Sequence, residues 1–210
     1  LWAQILGDWV YDLFDGPGHN DLRTRSRELF TERSSAAFVR TAWGTRLDDA
    51  RAAFESGERL DLADLSRVLV GMMVVGLLGM PVDRTRGDDA FREIFATGEE
   101  LASIALGTTA NTVLPPATIA AARTVVERLT GHIDEAFTTA SADTVIGRCR
   151  ELGLSLTETK GLSTLLMVAG TETAASAMAR MAALLADTGE QHRLLARPGW
   201  RENAVREALR

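Results

Sequence analysis

The sequence is short of the residues that staple or metallate small folds. One cysteine, Cys149, stands among 210 residues, which excludes an internal disulfide and a multi-cysteine zinc site and points to a reducing, cytoplasmic setting. The three histidines, His19, His132 and His192, lie far apart and share no metal-ligand spacing. Basic charge is not in excess either. Lys plus Arg number 23 against 29 Asp plus Glu, a formal charge of −6, which argues against nucleic acid or an anionic membrane as the main partner. The strongly apolar stretch without a charged residue at 68–82 falls short of the ~20 residues that span a bilayer and contains Gly71, Gly76, Gly79 and Pro81. It reads as a buried core helix. No signal peptide and no initiator methionine precede Leu1, which leaves open an N-terminus further upstream.

What the chain does contain is helix. Hydrophobic residues make up 46% and charged residues 25%, ordinary values for a globular protein. No alternating strand pattern, internal repeat or low-complexity tract is present, so the expectation is a mainly α domain. Pro17, after Asp15 and Gly16, suits the first turn of a helix running through LRTRSRELF. A second helix is expected from Ser34 to the Ser56-Gly57 stop. Asp61 can cap a third, which Gly79 and Pro81 end. A fourth covers Asp88 to Leu106, and TTANTVLPP then reads as a connecting loop. A fifth begins near Ala117 and keeps its apolar residues on one face through Phe137. A short helix over Ile146 to Leu152 precedes the longest one. Ser155 and Glu158 form a capping-box pattern at its start, and it continues to about Ala186. Shorter helices follow around Gln191 to Ala196 and Arg201 to Arg210.

One stretch is at odds with its surroundings. VAGTETAASAM, residues 168–178, sits near the middle of the longest helix. Gly170 costs roughly 1 kcal/mol there relative to alanine. A glutamate in such a segment must find a partner or change its protonation if it is buried. Close helix packing accounts for Ala169 and Gly170 but not for Glu172 beside Thr173. A carboxylate next to a hydroxyl can pass protons, which is a general acid–base device. In DGPGHNDLRTR, His19 and Arg23 are spaced i, i+4 and share a helix face, an arrangement that suits a carboxylate or phosphate or else a solvated polar surface. Glu207 and Arg210, in VREALR, are an i, i+3 pair that on its own reads as an exposed ion pair. Cys149, between Arg148 and Arg150, has no histidine near it in sequence and reads as a structural cysteine.

Taken in order, HNDLR, VAGTET and EALR resemble the C, I and K helices of the cytochromes P-450, the superfamily of haem-thiolate monooxygenases. VVGLLGMPVD resembles the end of the E helix in bacterial members, and the likeness extends over the whole chain. The resemblance implies a partial cytochrome P-450 fold, a single domain over 1–210 truncated at both ends, without the N-terminal β-rich region or the haem-cysteine loop. It implies a haem b cofactor (iron protoporphyrin IX) in the full-length parent, with His19 and Arg23 at its propionates. Ala169 and Gly170 would let the helix approach the porphyrin and leave room for dioxygen. Thr173 would hydrogen-bond the oxygen and Glu172 would relay protons. Glu207 and Arg210 would form a structural ion-pair network, and Leu165, Leu166 and Val168 would line the substrate pocket.

The parent would insert one oxygen atom into a small organic, hydrophobic substrate, with electrons from a ferredoxin-type donor and no membrane or nucleic-acid partner. Bacterial secondary metabolism is the setting implied. The iron-binding cysteine of that family follows the Glu-x-x-Arg helix, and Cys149 precedes the I-helix segment and cannot take its place. The 210 residues alone are therefore expected neither to hold haem stably nor to turn over. The competing expectation is a haem-less helical binding module derived from the same fold.

Overall fold

Capping chemistry sets most of the helix boundaries. A computed structural model of the chain describes residues 2–11, 16, 18–106 and 113–209, and no strand occurs among them. Helices α1 (Trp2–Leu6) and α2 (His19–Ser26) come first, and a 3₁₀ turn (Arg27–Phe30) follows α2. Helix α3 (Glu32–Glu55) starts two residues earlier than expected, because the Thr31 hydroxyl accepts from the Ser34 amide. Helix α4 (Leu62–Leu78) is capped by Asp61, whose carboxylate accepts from the Ala63 and Asp64 amides, and Gly79 closes it with φ 78°. That left-handed conformation suits glycine because it carries no Cβ.

Helix α5 (Asp88–Leu106) agrees with the sequence pattern. The long helix expected from Ala117 to Phe137 is instead two, α6 (Pro116–Thr130) and α7 (Ile133–Thr139). The break falls at Gly131, a poor helix former, just after the Thr130 hydroxyl bonds back to the Val126 carbonyl at 2.7 Å. Helix α8 (Val145–Glu151) follows a Thr144 cap. The Ser155–Glu158 capping box is present in both directions and opens α9 (Leu156–Thr188), 33 residues long, which Gly189 ends at φ 71°. Helices α10 (Glu190–Ala196) and α11 (Arg201–Ala208) complete the chain. Asp15, Pro17, most of the TTANTVLPP loop and Arg210 lie outside the described residues.

Helix α4 is the centre of the core. It is apolar over nearly its whole circumference, with Val68 and Val70 fully buried and Leu69 and Leu78 nearly so. Burying a side chain of this size stabilises by about 1.5–3 kcal/mol. Helix α9 crosses one side of α4, α5 packs on another, and α3 covers a third. Close approach depends on small residues at the crossings. A Cβ on Gly71 of α4 would stand 2.4 Å from the Phe91 carbonyl oxygen of α5. The Trp43 indole of α3 donates to the Leu69 carbonyl at 2.6 Å.

A charged clamp sits at the α4–α5 edge. Arg92 forms two bonds to Asp64, at 2.8 and 2.7 Å, and a third to Asp89 at 2.7 Å. Among the described residues, no helix is long and apolar enough to cross a membrane.

Candidate functional site

The period of α9 decides which of its residues can act. Thr159, Ser163, Thr164, Met167, Val168, Thr171 and Ala175 are buried against the other helices. At 100° per residue, Leu162, Leu166, Ala169, Thr173 and Ser176 fall on one stripe of the opposite face. Ala169, Thr173 and Ser176 are exposed there, and Leu162 and Leu166 are half-buried. Gly170 and Glu172 flank the stripe on either side. Gly170 is open in a specific sense, because a Cβ added to it would meet no atom within 4 Å beyond its own turn of helix.

This corrects the reading of Glu172 as a buried carboxylate in search of a partner. Glu172 is exposed, and so is Thr173. The polar residue that the helix buries is Thr171, at 0% exposure, with a hydroxyl that finds no hydrogen-bond partner. Helix phase explains the exchange. Thr171 and Thr173 are two residues apart, so their side chains point in nearly opposite directions around the axis. Thr171 faces α5, where Gly98 accommodates it; a Cβ on Gly98 would lie 3.1 Å from the Thr171 hydroxyl oxygen.

The Leu162–Leu166 end of the stripe forms part of the wall of a cavity of about 800 Å³. His19, Arg23 and Arg27 line it from the α2 region, Arg148 and Cys149 from α8, and Leu162 and Leu166 from α9. His19 and Arg23, paired in the sequence only by spacing, thus face a common space. Leu166 connects that space to Ala169 and Thr173, each one turn further along the helix. Arg27 and Arg148 join the pair from positions with no spacing signal, because the 3₁₀ turn and α8 bring them in from different parts of the chain. Arg148 also bonds to Glu151 at 2.8 Å.

The remaining sequence candidates are more scattered. Leu165 is half-buried, whereas Val168 belongs to the packed core and does not reach the open stripe. Glu207 is exposed and lines a separate cavity of about 380 Å³ between the end of α9, α10 and α11. Its sequence partner Arg210 lies outside the described residues. Cys149 is buried, and burial pushes its thiol up to about 11, although the Thr159 hydroxyl beside it acts in the opposite direction. At neutral pH it is a protonated thiol. No group of three or more His, Cys, Asp or Glu side chains that could hold a metal ion occurs among the described residues.

No protein-family model matches the sequence, and no curated protein matches it. The chain is similar in fold to the crystal structure of CalO2, with a TM-score of 0.73 and 22% sequence identity. The similarity covers 100% of this chain and 52% of the CalO2 chain, so the chain spans about half the length of that structure.

Proposed function

We propose that this chain is the central half of a haem-thiolate monooxygenase of the cytochrome P-450 superfamily, and that its parent oxygenates a hydrophobic organic molecule. The observation that carries this reading is the continuous stripe Leu162–Leu166–Ala169–Thr173, which runs out of the cavity that His19 and Arg23 share. The residues fit a flat amphipathic group with two carboxylates. Donors and aliphatic side chains both line the cavity, and a glycine with open space beside it lies one turn beyond Leu166. Haem, when bound, supplies the activation of dioxygen.

Within this reading each side chain has a limited task. His19 and Arg23 hold the carboxylates by charge-assisted hydrogen bonds. Ala169 and Gly170 keep the helix surface low enough for a planar ring to lie against it. The exposed Thr173 hydroxyl donates a hydrogen bond into the space above Ala169. Glu172, open to solvent and adjacent, exchanges protons with water and passes them toward that hydroxyl. Leu165 and Leu166 present an apolar surface to the substrate. Cys149, a buried neutral thiol, is not the thiolate of this chemistry, so the iron ligand belongs to a segment outside these residues.

The test uses the chain extended by the coding sequence downstream of Arg210 and loaded with haem. The reduced protein under carbon monoxide is expected to show the red-shifted Soret band of a thiolate-ligated haem. Loaded protein without that band refutes the thiolate assignment. In the same protein, Thr173→Ala is expected to divert oxygen to peroxide, and unchanged coupling removes Thr173 from the proton path.

A further inference from the structure

A third cavity, of about 450 Å³, shares no lining residue with the one that His19 and Arg23 face. Met167 of α9 lines it, about 100° around the helix axis from Leu166. Met80, Ala90 and Leu129 line it with Met167, and all four are buried. Ion pairs brace its walls. Arg86, in a 3₁₀ turn (Arg84–Arg86) before α5, bonds to Glu93 of α5 at 2.6 Å, and Arg128 of α6 pairs with Glu100 of α5. The Asp83 carboxylate caps that turn, accepting from the Thr85 hydroxyl at 2.6 Å and the Thr85 amide at 3.0 Å. These bonds hold Asp83 below the usual carboxylate range, so it is charged at neutral pH. The charges on the lining do not balance. Asp83, Glu93 and Glu135 stand there with Arg86 and Arg128, and both arginines are already paired, with Glu93 and Glu100. Asp83 and Glu135 enter no ion pair among the described residues, and neither the Glu135 carboxylate nor the His132 imidazole has a hydrogen-bond partner among them.

We propose that this cavity binds a small amphipathic organic cation, with its ammonium group at the Glu135 carboxylate and its apolar body on Met80, Leu129 and Met167. Three observations select that class. The volume lies within the ~300–1,000 Å³ typical of small-molecule sites. The buried apolar lining offers a bare inorganic ion no ligands, and no three His, Cys, Asp or Glu side chains among the described residues are placed to hold a metal. The uncompensated carboxylates repel an anion and favour a positive group, which donates a charge-assisted hydrogen bond to Glu135. The neutral His132 imidazole supplies a second acceptor at the same rim. Two methionines, unbranched and polarisable, conform to apolar bodies of varied outline, so charge and size define the ligand class. The inference does not depend on haem or on the monooxygenase reading.

The whole encoded protein, isotope-labelled at its methionine methyl groups, is titrated at neutral pH with phenylbutylamine, phenylbutanol and phenylbutyrate. The three share one apolar body and differ in charge. The amine is expected to shift the Met80 and Met167 methyl resonances saturably, and Met80→Leu and Met167→Leu variants identify those resonances. The alcohol is expected to bind at least about tenfold more weakly, and the carboxylate more weakly still. Glu135→Gln is expected to weaken the amine about tenfold and leave the alcohol unchanged. Glu135 is exposed, so the variant is expected to keep its fold, which far-UV circular dichroism checks. Asp134→Asn removes the same charge one residue away, at a side chain that does not line the cavity, and is expected to change neither affinity. Equal affinities for amine and alcohol overturn the proposal, because the cavity would then select apolar surface alone. So do shifts confined to Met181, which would place the amine in the cavity beside Trp200, and so does an amine that shifts no methionine resonance. A loss in Glu135→Gln that Asp134→Asn reproduces also overturns it, because the effect would then be one of overall charge.

Discussion

Replacing Gly170 by alanine tests the open face of α9 most directly. Gly170 lies well inside a 33-residue helix, and beyond its own turn of helix no atom lies within 4 Å of where its Cβ would be. The added methyl group therefore meets no steric opposition, while the unfolded chain loses conformational freedom. The expected gain is about 0.5–1 kcal/mol. For a chain of this size that raises Tm by roughly 1–4 °C. Urea unfolding followed by far-UV circular dichroism is expected to show a higher midpoint with an unchanged slope, because little extra surface is buried. A lowered midpoint would mean that another part of the chain packs on Gly170, and the open stripe would be wrong. If the gain is found, this position carries a glycine at a cost in stability. In the haem-loaded extended protein the same substitution is expected to weaken haem binding, because the methyl group occupies the space that a flat ring needs.

Gly71→Ala should behave in the opposite way. Its Cβ would collide with the Phe91 backbone, which cannot rotate aside, so overpacking of about 1–3 kcal/mol is expected to outweigh the helix-propensity gain and lower the urea midpoint. Cys149 in the folded chain is expected to react with iodoacetamide about 100-fold more slowly at pH 8 than in the urea-unfolded chain, since burial lifts its pKa to about 11. Comparable rates would show that the thiol is not buried. Because that folded-state pKa is raised, the thiol's contribution to stability is complete below the unfolded value and declines as pH rises toward 11. The Ser155 hydroxyl and amide hold the Glu158 carboxyl below its usual range, so the capping box adds stability above the unfolded pKa and loses it as pH falls through the lower folded one. Glu158→Gln is expected to flatten that part of the acid-unfolding profile, and an unchanged profile would remove the capping box from the account.

The helical class, the Asp61 and Ser155 caps, the Gly79 stop and the length of α9 were legible because each depends on residues a few positions apart. The division of the fifth helix at Gly131 was not, because apolar periodicity continues across the break. The first helix, Trp2–Leu6, carries too little pattern to be read at all. It is held from far along the chain, by Arg123 donating to the Ile5 carbonyl at 3.1 Å and by the Leu114 amide donating to Gln4 at 2.8 Å.

At the candidate site the division is sharper. Sequence alone determined that a glycine, a glutamate and two threonines interrupt an apolar helix, and that a histidine and an arginine share a face near the start. Only the tertiary structure decided which threonine is buried. The packing of α5 and α4 against α9 sets the direction of the core, and helix phase then turns Thr171 inward and Thr173 outward. Tertiary structure also joined His19 and Arg23 to Leu166 and added Arg148. Those residues are up to 147 positions apart, and no local pattern records a contact made by chain reversals between them.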